Sequence, residues 1–276
     1  MKIKVLGSAA AECIPAIWCE CDICKQARER GGKEIRRRTS YLIDNDTLVD
    51  FGPDIFSKSL HFNFNFLEIK RILFTHSHGD HLSPIELLWR KPGFSIVSKP
   101  LKIMGGKNVF TTEINQMSTE GIWDLKQLKI SPILYEHGKT IVDGDLKVTP
   151  LNACHDPNST PFVLLIERDG KKLFICNDTG FLPDESWQFL KNAQIDFVFI
   201  DSNCGFAHPD AAIGHMGVNT VVKTRDKLLQ IGALKEKAPA YMIHFSHNGK
   251  CLHTELEKFA SAHGLHVAYD GLTAEI

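Results

Sequence analysis

Short apolar runs that stop on a polar side chain recur along this chain. Thr47-Leu48-Val49 stops at Asp50, Ile72-Leu73-Phe74-Thr75 at His76, and Leu173-Phe174-Ile175-Cys176-Asn177 at Asp178. Phe197-Val198-Phe199-Ile200 stops at Asp201, Tyr241-Met242-Ile243 at His244, and Leu146-Lys147-Val148-Thr149 is followed shortly by His155. Runs of this length, rich in β-branched and aromatic residues, read as buried strands, and in layered α/β proteins ligands gather at strand ends. These endings predict several strands delivering polar groups to one edge. Ile3-Lys4-Val5-Leu6-Gly7 alternates and reads as a first strand, while His266-Val267-Ala268-Tyr269, turning at Asp270-Gly271, reads as the last.

Helical patterns lie between the strands. Ser83-Pro84 supplies a capping serine and a proline at the first helical position before Ile85-Glu86-Leu87-Leu88. Pro183-Asp184 opens a segment carrying Trp187, Phe189 and Leu190, and Val218 to Gln230 reads as a helix closed by Gly232. Thr254 and Glu257 have capping-box spacing ahead of a helix stopped by Gly264. Lys25 to Arg38 is strongly basic and ends in Arg36-Arg37-Arg38; it reads as a solvated helix and turn in preference to a phosphate-binding patch. No Pro/Ser-rich linker or low-complexity tract divides the chain. Residues 1–276 therefore read as one α/β (α+β) domain, with two sheets stacked face to face and helices outside.

Composition narrows the function classes. With 276 residues, 43% hydrophobic and 24% charged, the chain is an ordinary globular protein long enough to bury a sizeable core. Its net charge of -1 gives no global electrostatic case for a nucleic-acid partner. No apolar run reaches the length of a membrane span, and the first residues are too short and too alternating for a signal peptide. Of the 8 cysteines, Cys19, Cys21 and Cys24 form a C-x-C-x-x-C arrangement. A disulfide framework is unusual in a chain of this size without an export signal, so the expectation is a reducing cytoplasm with these thiolates on a metal. Three thiolates fill three corners of a tetrahedron around zinc; the fourth must come from elsewhere.

The densest chemistry is Thr75-His76-Ser77-His78-Gly79-Asp80-His81. A lone histidine after an apolar strand is usually a core or surface residue with no ligand, which is the bland reading of His155 or His244 alone. Three histidines and an aspartate within six positions change it. His76 and His78 can converge on one ion and Asp80 and His81 on a second, each ion needing another imidazole from far along the chain. Asp178 can bridge them, as in two-metal hydrolases.

H-x-H-x-D-H at positions 76 to 81, followed by His155, Asp178 and His244, resembles the metallo-β-lactamase superfamily of metallohydrolases. The resemblance implies a four-layered αβ/βα sandwich with a dinuclear site at the edge between the sheets. It places His76, His78 and His155 on one ion, Asp80, His81 and His244 on the other, Asp178 between, and a water bridging the two. Asp50 would be a buried acid orienting a ligand; for Asp50 and Asp201 a purely structural role stands equally open. Gly7-Ser8-Ala9-Ala10, Trp18 to Cys24, Asn177-Asp178-Thr179-Gly180-Phe181-Leu182-Pro183 and Tyr269-Asp270-Gly271 are similar to one branch, that of the phosphoribosyl cyclic phosphodiesterase of the carbon–phosphorus lyase pathway. That branch carries a structural zinc on the cysteine loop and one histidine three positions after the last catalytic ligand, here His247. It also has a loop histidine before an Asn-Thr-Val helix start, here His215, with His208 a rival in the same loop. His215 would protonate the leaving oxygen, and His215 and Asp80 are the candidate catalytic residues.

The implied protein is a metal-dependent hydrolase of a small phosphodiester, cyclic or open, holding two catalytic divalent ions and one structural zinc. Zinc is the expected catalytic ion and manganese the second choice, with iron open, because no thiolate serves that site. The expected partner is a small molecule; neither a membrane nor a nucleic acid is expected, and a homodimer is left open. The alternatives are a ribonuclease-like hydrolase of RNA ends, a β-lactamase or thioesterase on grounds of fold alone, and a non-hydrolytic protein of the quinone-cofactor-biosynthesis type.

Overall fold

The computed structural model describes residues 1–110 and 124–276. The N-terminal half contributes β1 (Lys2–Gly7), α1 (Asp22–Arg30), β2 (Ser40–Ile43), β3 (Thr47–Val49), α2 (Ile55–Phe62), β4 (Arg71–Leu73), α3 (Pro84–Leu88), β5 (Leu101–Gly105) and β6 (Ile130–Leu134). The remainder contributes β7 (Ile141–Asp143), β8 (Leu146–Asn152), β9 (Phe162–Arg168), β10 (Lys171–Cys176), α4 (Asp184–Leu190), β11 (Phe197–Asp201), α5 (Val218–Gln230), β12 (Ala240–Ile243), α6 (His253–Ala262), β13 (His266–Val267) and β14 (Thr273–Glu275). Two seven-stranded sheets result, ordered β14-β1-β2-β3-β4-β5-β6 and β7-β8-β9-β10-β11-β12-β13. In each, the first three pairings are antiparallel and the last three parallel. β14 returns to the first sheet, setting Ala274 opposite Ile3.

The strands are apolar on both faces because both faces are covered. Leu73, Phe197 and Phe199 pack between the sheets with Tyr41, Val49 and Ile243. Their neighbours Ile72, Val198 and Ile200 point the other way. Ile72 meets Ile55 of α2 and Leu87 of α3. Val198 and Ile200 meet Trp187 of α4, Val221 and Leu228 of α5, and Leu256 of α6. The layers are helix, sheet, sheet, helix, as the strand-and-helix pattern predicts. Strands β2, β5, β6, β7, β9 and β14 lie outside the runs singled out above.

Three local expectations are corrected. Arg36 is 2% exposed, not solvated: its guanidinium donates to Ser8 Oγ at 2.9 Å, Ala268 O at 2.7 Å and His253 Nδ1 at 2.8 Å, and lies 4.3 Å from the Phe245 ring. Arg37 is paired with Asp270 at 3.3 Å, so the solvated reading holds for α1 and not for the turn after it. The last helix starts at His253, where the Glu255 carboxylate, rather than Glu257, accepts the Leu252 N–H at 3.0 Å. Ser83 makes no side-chain cap bond at α3, although Pro84 stands at its first turn as expected.

Arg36 and His253 tie the N-terminal turn to α6, and their geometry fixes the imidazole as neutral. Nδ1 accepts from Arg36, and Nε2–H donates to Glu257 at 2.9 Å. Burial first, then the adjacent Arg36 charge, pushes the His253 pKa from 6.5 down to about 4. The unfolded imidazole therefore takes up a proton near 6.5, while the folded one resists until about 4. Stability present above 6.5 should be lost as pH falls through that window. Chemical denaturation between pH 4 and 7 should show a slope that is flatter in His253→Gln.

Candidate metal centre

Every expected ligand of the catalytic cluster lies at the same edge. Asp50 follows β3, the 75–81 loop follows β4, His155 follows β8, Asp178 follows β10, Asp201 ends β11 and His244 follows β12. The parallel pairings align these strand ends within each sheet, and β8 runs with β10 because both are antiparallel to β9. Asp50, Asp178 and His244 each have left-handed backbone, with φ of 62°, 54° and 63°. A non-glycine residue there costs on the order of 1–3 kcal/mol, a strain typical of sites where side-chain direction is constrained. Gly52 lets the 75–81 loop close in, since a Cβ at that position would overlap the Asp80 carbonyl.

Two groups of ligand atoms result. In one, His78 Nδ1 lies 2.9 Å from His76 Nε2 and 3.2 Å from His155 Nε2. In the other, His81 Nε2 lies 3.0 Å from Asp80 and 3.3 Å from Asp178 Oδ2, and His244 Nε2 lies 3.0 Å from Asp178 Oδ1. His76 Nε2 is 3.9 Å from Asp178 Oδ1, so this one carboxylate faces both groups. An ion with bonds near 2.1 Å spaces tetrahedral ligand atoms about 3.4 Å apart, close to these separations.

Hydrogen bonds behind the rings decide which nitrogen faces inward. The outer Nδ1 of His81 donates to Asp50 at 2.7 Å, that of His155 to Gly214 O at 3.0 Å, and those of His76 and His244 to the hydroxyls of Thr75 and Thr39, both at 3.0 Å. Thr75 passes its own proton to Asp50 and Thr39 to Ala9 O, so each hydroxyl is free to accept. His78 is turned the other way, with Nε2 3.3 Å from Asp156 and Nδ1 inward. The inner nitrogens thus carry lone pairs, the form a metal binds. His81 Nε2 is buried without a hydrogen-bond partner while two carboxylates face it. A divalent cation satisfies that atom and both carboxylates at once.

The titration directions show the same imbalance. Burial opposes a charge on His81, but the carboxylates of Asp178, Asp80 and Asp50 outweigh it and hold its pKa well above the ordinary value. Burial likewise works against ionised Asp178, yet His244 and His81 keep it well below the usual carboxylate range. His76 is pushed well down by burial and then by the His81 charge.

His215 joins this edge and His208 does not: His208 is exposed in the same loop. The His215 ring stacks on His244 with centroids 5.4 Å apart and meets His155 at 4.8 Å, and its Nδ1 lies 2.9 Å from Asp201 Oδ2. Asp201 also accepts the N–H groups of Asp178, Asn203 and Met216, at 2.9, 3.0 and 3.0 Å. Burial alone would lower the His215 pKa; Asp201 overrides it and brings the value to about 9.

The cysteine loop forms a separate cluster. Cys19, Cys21, Cys24 and His247 bring one ligand atom each within 4.8 Å of one another, and all eight cysteines are free of disulfides. His247 Nδ1 lies 3.6 Å from Cys19 Sγ and 3.5 Å from Cys21 Sγ, against about 3.5–3.6 Å for sulfur and nitrogen on one tetrahedral zinc. Burial works against a Cys21 thiolate, but hydrogen bonds from the Cys24 backbone and from His247 lower its pKa to about 6. Behind the ring, His247 Nε2 faces Glu12 at 3.5 Å.

A model of the beta-lactamase superfamily domain matches residues 45–245, nearly three-quarters of the chain and all of the catalytic cluster. The chain belongs to the beta-lactamase superfamily. Among curated relatives, an octanoyltransferase of Porphyromonas gingivalis is 25% identical over 291 residues, covering 100% of this chain and 52% of that protein. A UPF0173 metal-dependent hydrolase of Alkaliphilus metalliredigens is 26% identical over 165 residues, covering 58% of this chain and 68% of that protein. The chain spans about half the length of the first curated relatives it matches. Among solved structures, a diphosphatase of the PhnP family aligns with a TM-score of 0.76 at 20% identity, covering 100% of this chain and 97% of that one. Zinc-bound PqqB from Methylobacterium extorquens aligns at 0.75 with 17% identity, covering 100% of both chains. At these identities the likeness is one of fold, the metallo-β-lactamase fold.

Sequence reasoning missed three parts of this superfamily member's site: Thr39, Asp156 and the Gly214 carbonyl. Each touches a cluster ring from a segment with no ligand pattern of its own. Only the position of Asp156 directly after His155 gave a signal. Asp50→Asn tests the supporting layer, because the amide oxygen can still accept the Thr75 N–H while the charge opposite His81 is lost. Metal retained after dialysis against a weak chelator should correspond to an affinity about 10–100-fold lower than in wild type.

Proposed function

We propose that this metal-dependent hydrolase cleaves a small phosphodiester, cyclic or open, at a two-cation site. The single observation that carries the reading is Asp178, whose carboxylate faces His244 and His81 on one side and His76 on the other. His76, His78 and His155 would hold one ion, Asp80, His81 and His244 the second, with Asp178 between, and zinc is the first choice for both, manganese the second. Two divalent cations supply a water that ionises near neutral pH and neutralise charge growing on the phosphoryl oxygens. The protein's own part is to hold the lone pairs inward, exclude water from the buried side and provide a proton.

His215 is that proton source. Its Nε2 is the ring nitrogen left when Asp201 takes Nδ1, and its stacking on His244 sets it beside the side chains that would hold the ions. Asp201 is the positioning residue: three backbone donors hold the carboxylate in place while it stabilises the charged imidazole. The cysteine cluster, with no position facing the catalytic groups, would hold a closed structural zinc. Its His247 sits three residues beyond His244, so a zinc held there would pin the strand end that carries His244.

The rival readings fit less of the site. Fold likeness separates a PhnP-family diphosphatase from PqqB by only 0.76 against 0.75, so it does not discriminate hydrolysis from a non-hydrolytic role. The full set of seven converging side chains favours hydrolysis. A nuclease acting on long nucleic acid finds little support in a net charge of -1.

Two experiments test the proposal. His215→Ala should keep its metal content but lose about 10²–10⁴-fold in turnover of a diester with an alkoxide leaving group. It should lose much less on bis(p-nitrophenyl) phosphate, whose leaving group departs without a proton; equal losses on both, or none, would defeat the acid role. Cys21→Ser should release one zinc per chain while leaving the catalytic cluster's ions measurable by elemental analysis. Unchanged zinc content would remove the structural assignment.

A further inference from the structure

Beside His155 a cavity of about 340 Å³ opens to solvent. His155, one of the clustered histidines, is also part of its lining. Pro157, Pro183 and Phe162 give it rigid apolar sides, and Asn152 and Glu185 stand at its rim. No lysine or arginine lines it among the described residues.

The rim is organised by the fold. Asn152 ends β8, where its N–H donates to His137 Nδ1 at 3.0 Å and its amide Nδ2 donates to Glu185 Oε1 at 3.2 Å. Glu185, in the first turn of α4, is held in its ionised form by its own backbone N–H and then by Asn152, which lower its pKa. One carboxylate oxygen of this exposed residue therefore has a fixed partner in Asn152. The apolar walls are mostly proline, which loses no side-chain rotamers when a ligand docks.

We infer that this cavity seats the organic arm of the substrate and that Glu185 selects arms that are uncharged or cationic over anionic ones. The inference rests on the phosphodiester reading above and adds the chemistry of the non-phosphoryl part. Two features commit it to one occupant. His155 belongs both to the cavity lining and to the cluster, so a group seated in the cavity lies one imidazole away from the ligand atoms, within reach of the remainder of a molecule whose phosphoryl group lies there. Its volume and proline–phenylalanine walls suit a ring-sized apolar group, with a carboxylate to repel a second anion. A substrate bearing two phosphates, one on each side, is disfavoured by the same charge.

The test uses diesters with one common leaving group and three arms: benzyl, 4-carboxybenzyl and 4-(aminomethyl)benzyl esters of p-nitrophenyl phosphate. Metal-quantified wild-type protein should prefer the benzyl over the carboxybenzyl ester by roughly tenfold in kcat/KM, mainly through KM and less at high salt. Glu185→Gln should narrow that ratio, and Glu185→Lys should reverse it; the aminomethyl ester should move in the opposite direction. Ratios that stay the same in all three proteins overturn the inference. The calorimetric affinities of benzyl phosphate and 4-carboxybenzyl phosphate give the same ratio without turnover. If no diester is hydrolysed, the phosphodiesterase reading fails alone, and the binding ratio still decides the subsite: a Glu185-dependent ratio upholds it and a Glu185-independent one overturns it.

Discussion

Lone pairs and negative charge converge on a buried edge that the fold cannot leave without positive charge. Asp50, Asp178, His76, His81 and His244 are all nearly solvent-free there. Burying ionised groups without compensation is costly enough that they would otherwise take up protons. The carboxylates of Asp178, Asp80 and Asp50 hold the His81 pKa well above its ordinary value for the same reason. Most other features of the edge follow from the constraint. Hydroxyls and carbonyls behind the rings fix the tautomers, three residues accept left-handed backbone to aim their side chains, and Gly52 gives up its side chain to let a loop close.

The two clusters differ in how they are built. The catalytic edge draws its side chains from six separate strand ends, so its geometry depends on both sheets being in register. The cysteine cluster draws three side chains from one short stretch, Cys19 and Cys21 before α1 and Cys24 in its first turn, and one from the segment after β12, so a single long-range contact completes it. That contact runs next to others joining the same two segments, including the Ala10 N–H to Phe245 O and the Phe245 N–H to Ser8 O, both at 2.9 Å. Loss of the staple would be felt first at His244, the ligand on the shared segment.

How much of this was legible in the sequence follows physical lines. His76, His78, Asp80 and His81 could be read because ligand chemistry was packed into six positions, and Asp178 and His244 because strand ends repeat one pattern. Helix α5 was placed with its boundaries because its buried stripe and closing glycine agree. Arg36 was misread because the groups that make its burial tolerable, Ser8, Ala268 and His253, are distant in sequence. The start of α6 was misplaced because Thr254 and Glu257 carry the capping spacing, while the bond that forms runs from Leu252 to Glu255. Thr39 acts only through tertiary contact with no local pattern to mark it, and Asp156 is marked by nothing beyond its place directly after His155.

The matched order of the two sheets has a consequence for descent. Counting from β14 in one sheet and from β7 in the other, the fourth strand is β3 and β10 respectively. Each is followed by an aspartate in left-handed backbone, Asp50 and Asp178. The slot is the same, yet one acid braces a ring and the other faces both ligand groups. That is what a duplicated ancestral half would leave once its copies diverged: a shared scaffold position kept by the backbone, with its employment decided by whatever the opposite half came to present.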